Sequence, residues 1–404
     1  MKSKLIKYLD LAVVYLVYGL IFYIPISISL VSILSVIAVA LFFIKQALAP
    51  DLSRIRSNKT LFLLFLVFFI FMALSLFNSG PLIGISLKAL FIKWGRFPLM
   101  LWMVLDTFRD SKRIIRAAYV FLFGSVLVGF SIFSQKFFGL EFLRHRSLDG
   151  GVITGPFGNQ NDLASYLTCV IPIALSFSLW KWKRVSVKTG FLLIFAMLMI
   201  FSLLTLCRGG WVGLAAGFIF VIFALNSHRI REKTFWVLFP LSYVLCVPLI
   251  TFLLSLFKTR PAINGVDVSI AVRFDNYHAA WRMIKDHPFF GIGLGTFMQH
   301  FGQYTNSQGA SYAHNCFLQI WAESGLLSLL SFLLLVGYVF YGSLRSLLRM
   351  PVSLDFFLLT GFNAGLLGFL VASLFDTQFY SFQLSFLLYF VLGLTVAYRQ
   401  KGTL

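Results

Sequence analysis

Three basic residues stand where apolar runs give way to polar sequence, and their types suit the handling of phosphate and hydroxyl groups. Arg208 lies in Leu206-Cys207-Arg208-Gly209-Gly210-Trp211. A guanidinium pairs bidentately with phosphate oxygens and stays charged when partly desolvated. Gly209 and Gly210 let the backbone come close to a ligand, and a helix starting here adds its N-terminal dipole to an anion site. The plain alternative is an arginine snorkelling to lipid headgroups. Arg273, in Val272-Arg273-Phe274-Asp275-Asn276-Tyr277, could join such a site, pair with Asp275 or cap a helix. His314 sits in Tyr312-Ala313-His314-Asn315-Cys316. A neutral imidazole there could take a proton from a hydroxyl, or could merely be hydrogen-bonded at a helix start. Asp376 could orient one of these basic groups, bind a hydroxyl, or belong to a helix end.

The elements that must position these residues are membrane spans. The chain is 59% hydrophobic and only 12% charged, with a mean hydropathy of +0.88. A soluble domain carries roughly twice that charged fraction. Leu61–Leu76, Gly190–Leu206 and Leu326–Phe340 contain no charge. Spanning hydrocarbon takes about 20 apolar residues in a helix, which satisfies its own backbone polar groups. A lipid-facing barrel would instead alternate polar and apolar residues. The reading is an all-α integral membrane protein of about 12 transmembrane helices, forming a single polytopic membrane domain over residues 1–404.

The net charge of +20 is organised, which excludes a nucleic-acid surface. Lys and Arg gather in alternate hydrophilic gaps, among them Lys2/Lys4/Lys7, Arg54/Arg56/Lys59, Arg109/Lys112/Arg113/Arg116 and Arg399/Lys401. The intervening gaps are near neutral. This positive-inside pattern puts both termini in the cytoplasm and leaves the basic residues as topology signals and contacts to membrane lipids. Two outer gaps are long enough to hold a site, Gln135–Asn161 and Phe257–His314. Structureless loops of this length are usually functional. The second, taken as a periplasmic loop over 257–316 between the ninth and tenth helices, is expected to carry much of the active site.

Several other features have ordinary explanations. Gly291-Ile292-Gly293-Leu294-Gly295 is a poor dinucleotide loop, because its third glycine comes one residue early and no strand precedes it. It serves better as a turn that packs onto the bundle. Gly213 and Gly217 predict close helix packing. Lys88, Lys93 and Arg96 fall inside an apolar run, where charge is costly. Lys93 and Arg96 could meet an anionic headgroup or an internal carboxylate. The four cysteines have neither metal spacing nor the pattern of a disulfide framework.

Several motifs, in order, resemble those of the O-antigen ligase/polymerase superfamily. They are Gly155-Pro156-Phe157-Gly158-Asn159-Gln160-Asn161-Asp162, Arg208-Gly209-Gly210-Trp211, Arg273-Phe274, Trp281 through Phe297, Ala313-His314-Asn315 and Glu323-Ser324-Gly325-Leu326. The resemblance covers roughly the middle half of the chain. It implies a GT-C-like glycosyltransferase in a bacterial inner membrane, taking a glycan from undecaprenyl diphosphate on the periplasmic face. In the ligase branch the acceptor is a sugar hydroxyl of lipid A–core oligosaccharide. Carried over, Arg208 and Arg273 hold the diphosphate and His314 assists the attacking hydroxyl. Asn159, Asn161, Asn315 and Asp376 join them in substrate binding. Family members often read Ser-Arg-Gly where this chain has Cys207-Arg208-Gly209, which leaves the arginine intact.

The chemistry agrees with that implication. Two arginines can stabilise a departing diphosphate without a metal, and the outer gaps offer few carboxylates for a Mg²⁺ site. No carboxylate pair suited to double displacement stands out, so the expectation is metal-independent, cofactor-free, inverting transfer. An O-antigen polymerase or a protein O-oligosaccharyltransferase would use the same donor. From another class, a lipid-linked sugar transporter would need broken helices and a midplane site, for which Lys88, Lys93 and Arg96 are the best support.

Overall fold

The computed structural model describes residues 2–148, 151–227, 262–263, 266–305 and 311–399. Its first helices are α1 (Lys2–Tyr23), α2 (Ile28–Leu48), a short α3 (Ser53–Ser57) and α4 (Lys59–Leu74). Then come α5 (Ile83–Lys88), α6 (Arg96–Thr107), α7 (Ser111–Phe138), α8 (Gln160–Leu179), α9 (Val185–Leu204) and α10 (Arg208–Leu225). A pair of two-residue antiparallel strands, Ala262–Ile263 and Val266–Asp267, leads into α11 (Val268–Asp286). The chain ends with α12 (Phe297–Tyr304), α13 (Cys316–Leu347), α14 (Leu354–Ala372) and α15 (Phe382–Arg399). Among the described residues ten helices are long and apolar enough to cross a membrane. The expected span Phe235–Leu256 and Cys246 lie outside the described residues.

Local chemistry sets the helix ends. Pro25 separates α1 from α2, and the Ser27 hydroxyl caps α2 by accepting from the Leu30 N–H at 3.3 Å. Asp110, Asn159 and Ser353 cap α7, α8 and α14 in the same way. Helices α8, α14 and α15 are buried on nearly all sides, whereas α9 lies largely at the periphery. Helix α14 packs most extensively against α10 and α8. Gly213 and Gly217 permit that approach: a Cβ on Gly217 would sit 2.8 Å from the Ala364 carbonyl oxygen of α14. The expected glycine packing is therefore present.

The expected span over Leu82–Leu105 is not one regular helix. Helices α5 and α6 are joined by a π-helical turn, Ala89–Trp94, in which the Gly95 N–H donates to the Leu90 carbonyl at 2.7 Å. Such bulges are rare and shift every following side chain around the axis. Here the turn places the Lys93 ammonium 3.6 Å from the centre of the Tyr380 ring and within Coulombic reach of Glu323. The Arg96 guanidinium instead lies over the rings of Phe382 and Phe386, at 4.5 and 4.9 Å. Of the two alternatives for these charges, the internal carboxylate lies near Lys93, while Arg96 stacks on aromatic faces.

Residues 257–316 are also not structureless where they are described, since α11 and α12 occupy much of them. Ala279, Ala280, Met283 and Ile284 form one buried stripe of α11 and meet Phe297, Phe301 and Ala322 in a small separate core. That stripe has the spacing of one helix face.

Candidate functional site

One end of the bundle gathers the starts of α8, α10 and α13 with the connection between α14 and α15. Helix α13 is broken at Gly325, whose φ of 83° and ψ of 172° are not helical. The break frees backbone groups, and the segment after α11 replaces the missing partners. The Ile292 and Gly293 N–H groups donate to the Ala322 and Glu323 carbonyls at 2.9 and 3.0 Å. The Leu326 N–H turns to the Pro288 carbonyl at 2.9 Å. Gly291 and Gly293 adopt φ of 70° and 118°, and a Cβ on Gly293 would lie 2.7 Å from the Ser79 hydroxyl. The glycine run is thus a turn packed on the bundle, as its spacing predicts.

Glu323 secures the same junction with its side chain. It accepts from the Gly295 N–H at 3.0 Å, the Gln319 amide at 3.1 Å and the Tyr380 hydroxyl at 2.8 Å. The Gln319 carbonyl oxygen in turn accepts from the Ala313 N–H at 3.0 Å, immediately before His314. His314 has φ 49°, a left-handed conformation costing about 1–3 kcal/mol for such a residue. The Asn315 side chain accepts from the Phe317 and Leu318 N–H groups at 2.9 and 3.1 Å, capping α13. Its carbonyl oxygen is therefore committed to the helix.

The imidazole is held in one orientation. His314 Nδ1 lies 2.9 Å from Asp376 Oδ1, an oxygen that also accepts from the Thr377 N–H at 2.8 Å. Burial would raise the Asp376 carboxyl. The hydrogen bond and charge of His314, with the Thr377 N–H and the Asn161 side chain, outweigh burial and hold it below the usual carboxylate range. The Tyr277 hydroxyl lies 3.4 Å from both the His314 and Leu374 carbonyl oxygens. Arg273 is one helical turn before Tyr277 on α11. Burial pushes the Tyr277 phenol up, and the Arg273 guanidinium opposes it. Among the described residues no ion pair joins Arg273 to Asp275.

Arg208 enters from α10. It occupies the first turn, after Leu206 in a left-handed conformation with φ 51°. A Cβ on Gly209 would lie 2.8 Å from Phe375 Cβ, so glycine admits the residue next to Asp376. Asn161, in the first turn of α8, closes the ring. It accepts from the Cys207 thiol at 3.3 Å, and its side chain helps lower the Asp376 carboxyl. The Cys316 thiol donates to the Asp376 carbonyl at 3.3 Å. Cys169, Cys207 and Cys316 are all free thiols. Asn159 caps α8 by accepting from the Asp162 N–H at 2.8 Å and lines a neighbouring cavity. Among the described residues no group of three or more His, Cys, Asp or Glu is arranged to hold a metal ion.

Sequence reasoning thus selected residues that the fold brings together: Arg208, Asn161, His314 and Asp376, with Arg273 one turn from Tyr277. It gave no role to Tyr277 or Glu323. The readable signals were the i, i+4 spacing from Arg273 and a lone carboxylate in an apolar helix.

The fold and this site define a multi-pass membrane protein with an imidazole–carboxylate pair and arginines at one end of its helical bundle. Residues 192–333, which include Arg208, Arg273 and His314, match the family described as O-antigen ligase (Wzy_C). The O-antigen ligase of Salmonella typhimurium (strain LT2) is 25% identical over 189 residues, covering 43% of this chain and 44% of that protein. The teichuronic acid biosynthesis protein TuaE of Bacillus subtilis (strain 168) is 23% identical over 238 residues, covering 55% of this chain and 47% of that protein. The chain spans about half the length of the curated relatives it matches. Over these segments the chain is similar to proteins of the O-antigen ligase superfamily.

Proposed function

We propose that this chain transfers a glycan from undecaprenyl diphosphate to a sugar hydroxyl of lipid A–core oligosaccharide, on the periplasmic face of a bacterial inner membrane. The observation that carries the reading is the His314–Asp376 pair at the mouth of α10, beside the helix start that bears Arg208. Asp376 accepts the Nδ1 proton of His314, which leaves Nε2 as the basic nitrogen. Nε2 takes the proton of the acceptor hydroxyl as that oxygen bonds to the anomeric carbon. The bond from that carbon to the diphosphate oxygen breaks, and its electron pair leaves with undecaprenyl diphosphate. Attack opposite the leaving group inverts the anomeric centre. Arg208 and Arg273 stabilise the negative charge that develops on the diphosphate. Asn159 and Asn161 bind the sugar beside it.

Several points support this reading. The matched family is described as O-antigen ligase, and a relative carries that name. The alternating charge of the sequence orients the site outward, with both termini inside. The GT-C-like arrangement belongs to the same proposal. The test uses purified full-length protein with a polyprenyl-diphosphate-linked glycan and lipid A–core acceptor. Product on the core, made equally well in EDTA, supports the proposal. Product only on a second carrier-linked glycan would make the protein a polymerase, and activity recovered only with Mg²⁺ or Mn²⁺ would overturn the metal-independent step.

A further inference from the structure

A second polar cavity adjoins the site on the far side of Asn161. It measures about 550 Å³ and is lined by residues of the connection between α7 and α8, His145, Arg146, Ser147 and Thr154, together with Asn159 and Asn161. That volume lies within the range of about 300–1,000 Å³ usual for small-molecule sites. Its walls are built rather than loose. The Gln135 side chain accepts from the Thr154 and Gly155 N–H groups at 3.0 and 2.9 Å and donates to the Ser147 carbonyl at 3.1 Å. The Arg146 carbonyl accepts from the Glu141 N–H at 2.8 Å, and Leu140 pairs with Ser147 in an antiparallel bridge. The Glu141 carboxylate itself is spent on the Leu143 and Arg144 N–H groups, at 2.6 and 2.7 Å.

Two cation-forming side chains are thereby presented to the cavity. The Nε of Arg146 is buried and meets no hydrogen-bond partner among the described residues. His145 holds a left-handed backbone with φ 54°. None of the described residues lining the cavity is acidic. Hydroxyls and side-chain amides make up most of the remaining lining, which suits a ring bearing several hydroxyl groups. Asn161 is shared: it lines this cavity, accepts from the Cys207 thiol and lies near Asp376.

We propose that this cavity is a glycan subsite for a sugar ring carrying an anionic substituent, phosphate or carboxylate, recognised by Arg146 and His145. The proposal rests on the glycosyl-transfer reading for which molecule brings the sugar. The ring belongs either to the acceptor or to the glycan of the donor, and the chemistry of recognition is the same. A guanidinium can meet either group with two parallel N–H bonds.

The test measures binding to the purified full chain carrying His314→Ala, so that no turnover intervenes. The probes are delipidated core oligosaccharide with its phosphates, the same oligosaccharide after phosphatase, and the released donor glycan before and after carboxyl reduction. Calorimetry with and without Arg146→Gln reads the contribution of the guanidinium. The expected result is at least tenfold weaker binding of one anionic probe, with its neutral counterpart unchanged. Dependence confined to the core oligosaccharide assigns the subsite to the acceptor, and dependence confined to the released glycan assigns it to the donor. His145→Gly is the second variant, because glycine tolerates the left-handed backbone while removing the imidazole; it should weaken the same probe about threefold. If neither variant discriminates anionic from neutral probes, the subsite is wrong. Transfer activity in the otherwise unmodified protein separates the two ideas. Charge-selective binding without transfer to any acceptor would leave the subsite standing and remove the proposed reaction. Transfer with no charge selectivity would do the reverse.

Discussion

Replacing Asp376 by Asn keeps the shape of the side chain and removes one charge. The variant can still accept from the Thr377 N–H through its amide oxygen, a bond of 2.8 Å in the native protein. What it loses is the charge-assisted bond to His314 Nδ1, at 2.9 Å. Hydrogen bonds to charged groups contribute about 1.5–3 kcal/mol. In the proposed reaction the imidazole becomes cationic as it takes the hydroxyl proton, so this bond strengthens in the transition state. At about 1.4 kcal/mol per tenfold, kcat should fall roughly 10- to 150-fold. The arginines are untouched, so the KM for the donor should stay within about threefold, the pattern of an interaction made mainly in the transition state. Initial rates with purified full-length protein, at varied donor and saturating acceptor, read both constants. Asp376→Asn added to His314→Ala should cost almost nothing more, because the two residues act as a unit. An unchanged kcat, or a loss expressed only in KM, would refute the positioning role.

The other predictions address the surroundings of that pair. Arg208→Ala should lower transfer at least 100-fold with the protein still inserted, and Arg208→Lys should recover only part of it, since an ammonium cannot pair with phosphate bidentately; wild-type rates in the alanine variant would remove the donor model. Gly209→Ala should cost about tenfold or more in transfer, because its Cβ would stand 2.8 Å from Phe375 Cβ and displace the turn carrying Asp376; a thermal melt close to wild type would distinguish this from unfolding. The pH dependence follows from the lowered carboxyl of Asp376. A carboxyl held below its unfolded value contributes stability that is fully present above about pH 3.9 and lost as pH falls through its folded value. The melting advantage of the native protein over Asp376→Asn should therefore shrink as pH falls from 5 toward 3; an advantage unchanged over that range would show that the Asp376 carboxyl is not held below its unfolded value.

The spans were legible because hydrocarbon excludes charge, and a run such as Leu61–Leu76 leaves no other reading. The π-helical turn at Ala89–Trp94 was not, since nothing local demands it. It serves a partner on another helix, bringing Lys93 to Tyr380 and Glu323. Alternating charge likewise concealed the fold of 257–316. A polar segment between spans reads as a loop, whereas the stripe Ala279, Ala280, Met283 and Ile284 is apolar enough to build a helix against Ala322. Within the site, Arg208 was visible because a positive charge stood in a gap that the topology rule leaves neutral. His314 was visible by its chemistry. Its pairing with Asp376 was one of three readings open for that carboxylate, and sequence could not choose among them because 62 residues and two helices separate the two.

Long-range pairing also explains why His314 can hold an unfavourable backbone. A left-handed histidine persists only where its surroundings over-determine it. Here the preceding N–H is held by Gln319, the following side chain caps α13, the ring is held by Asp376, and the His314 carbonyl lies beside the Tyr277 hydroxyl. Gln319 in turn donates to Glu323, whose other partners are the glycine turn after α11 and Tyr380. The chain of hydrogen bonds therefore runs from the break at Gly325 to the Ala313 N–H, next to His314. The motifs of the sequence lie far apart because each supplies one of these supports. The catalytic proposal rests on the side chain at the end of that chain, and the glycines and Glu323 act on it only through the backbone they hold in place.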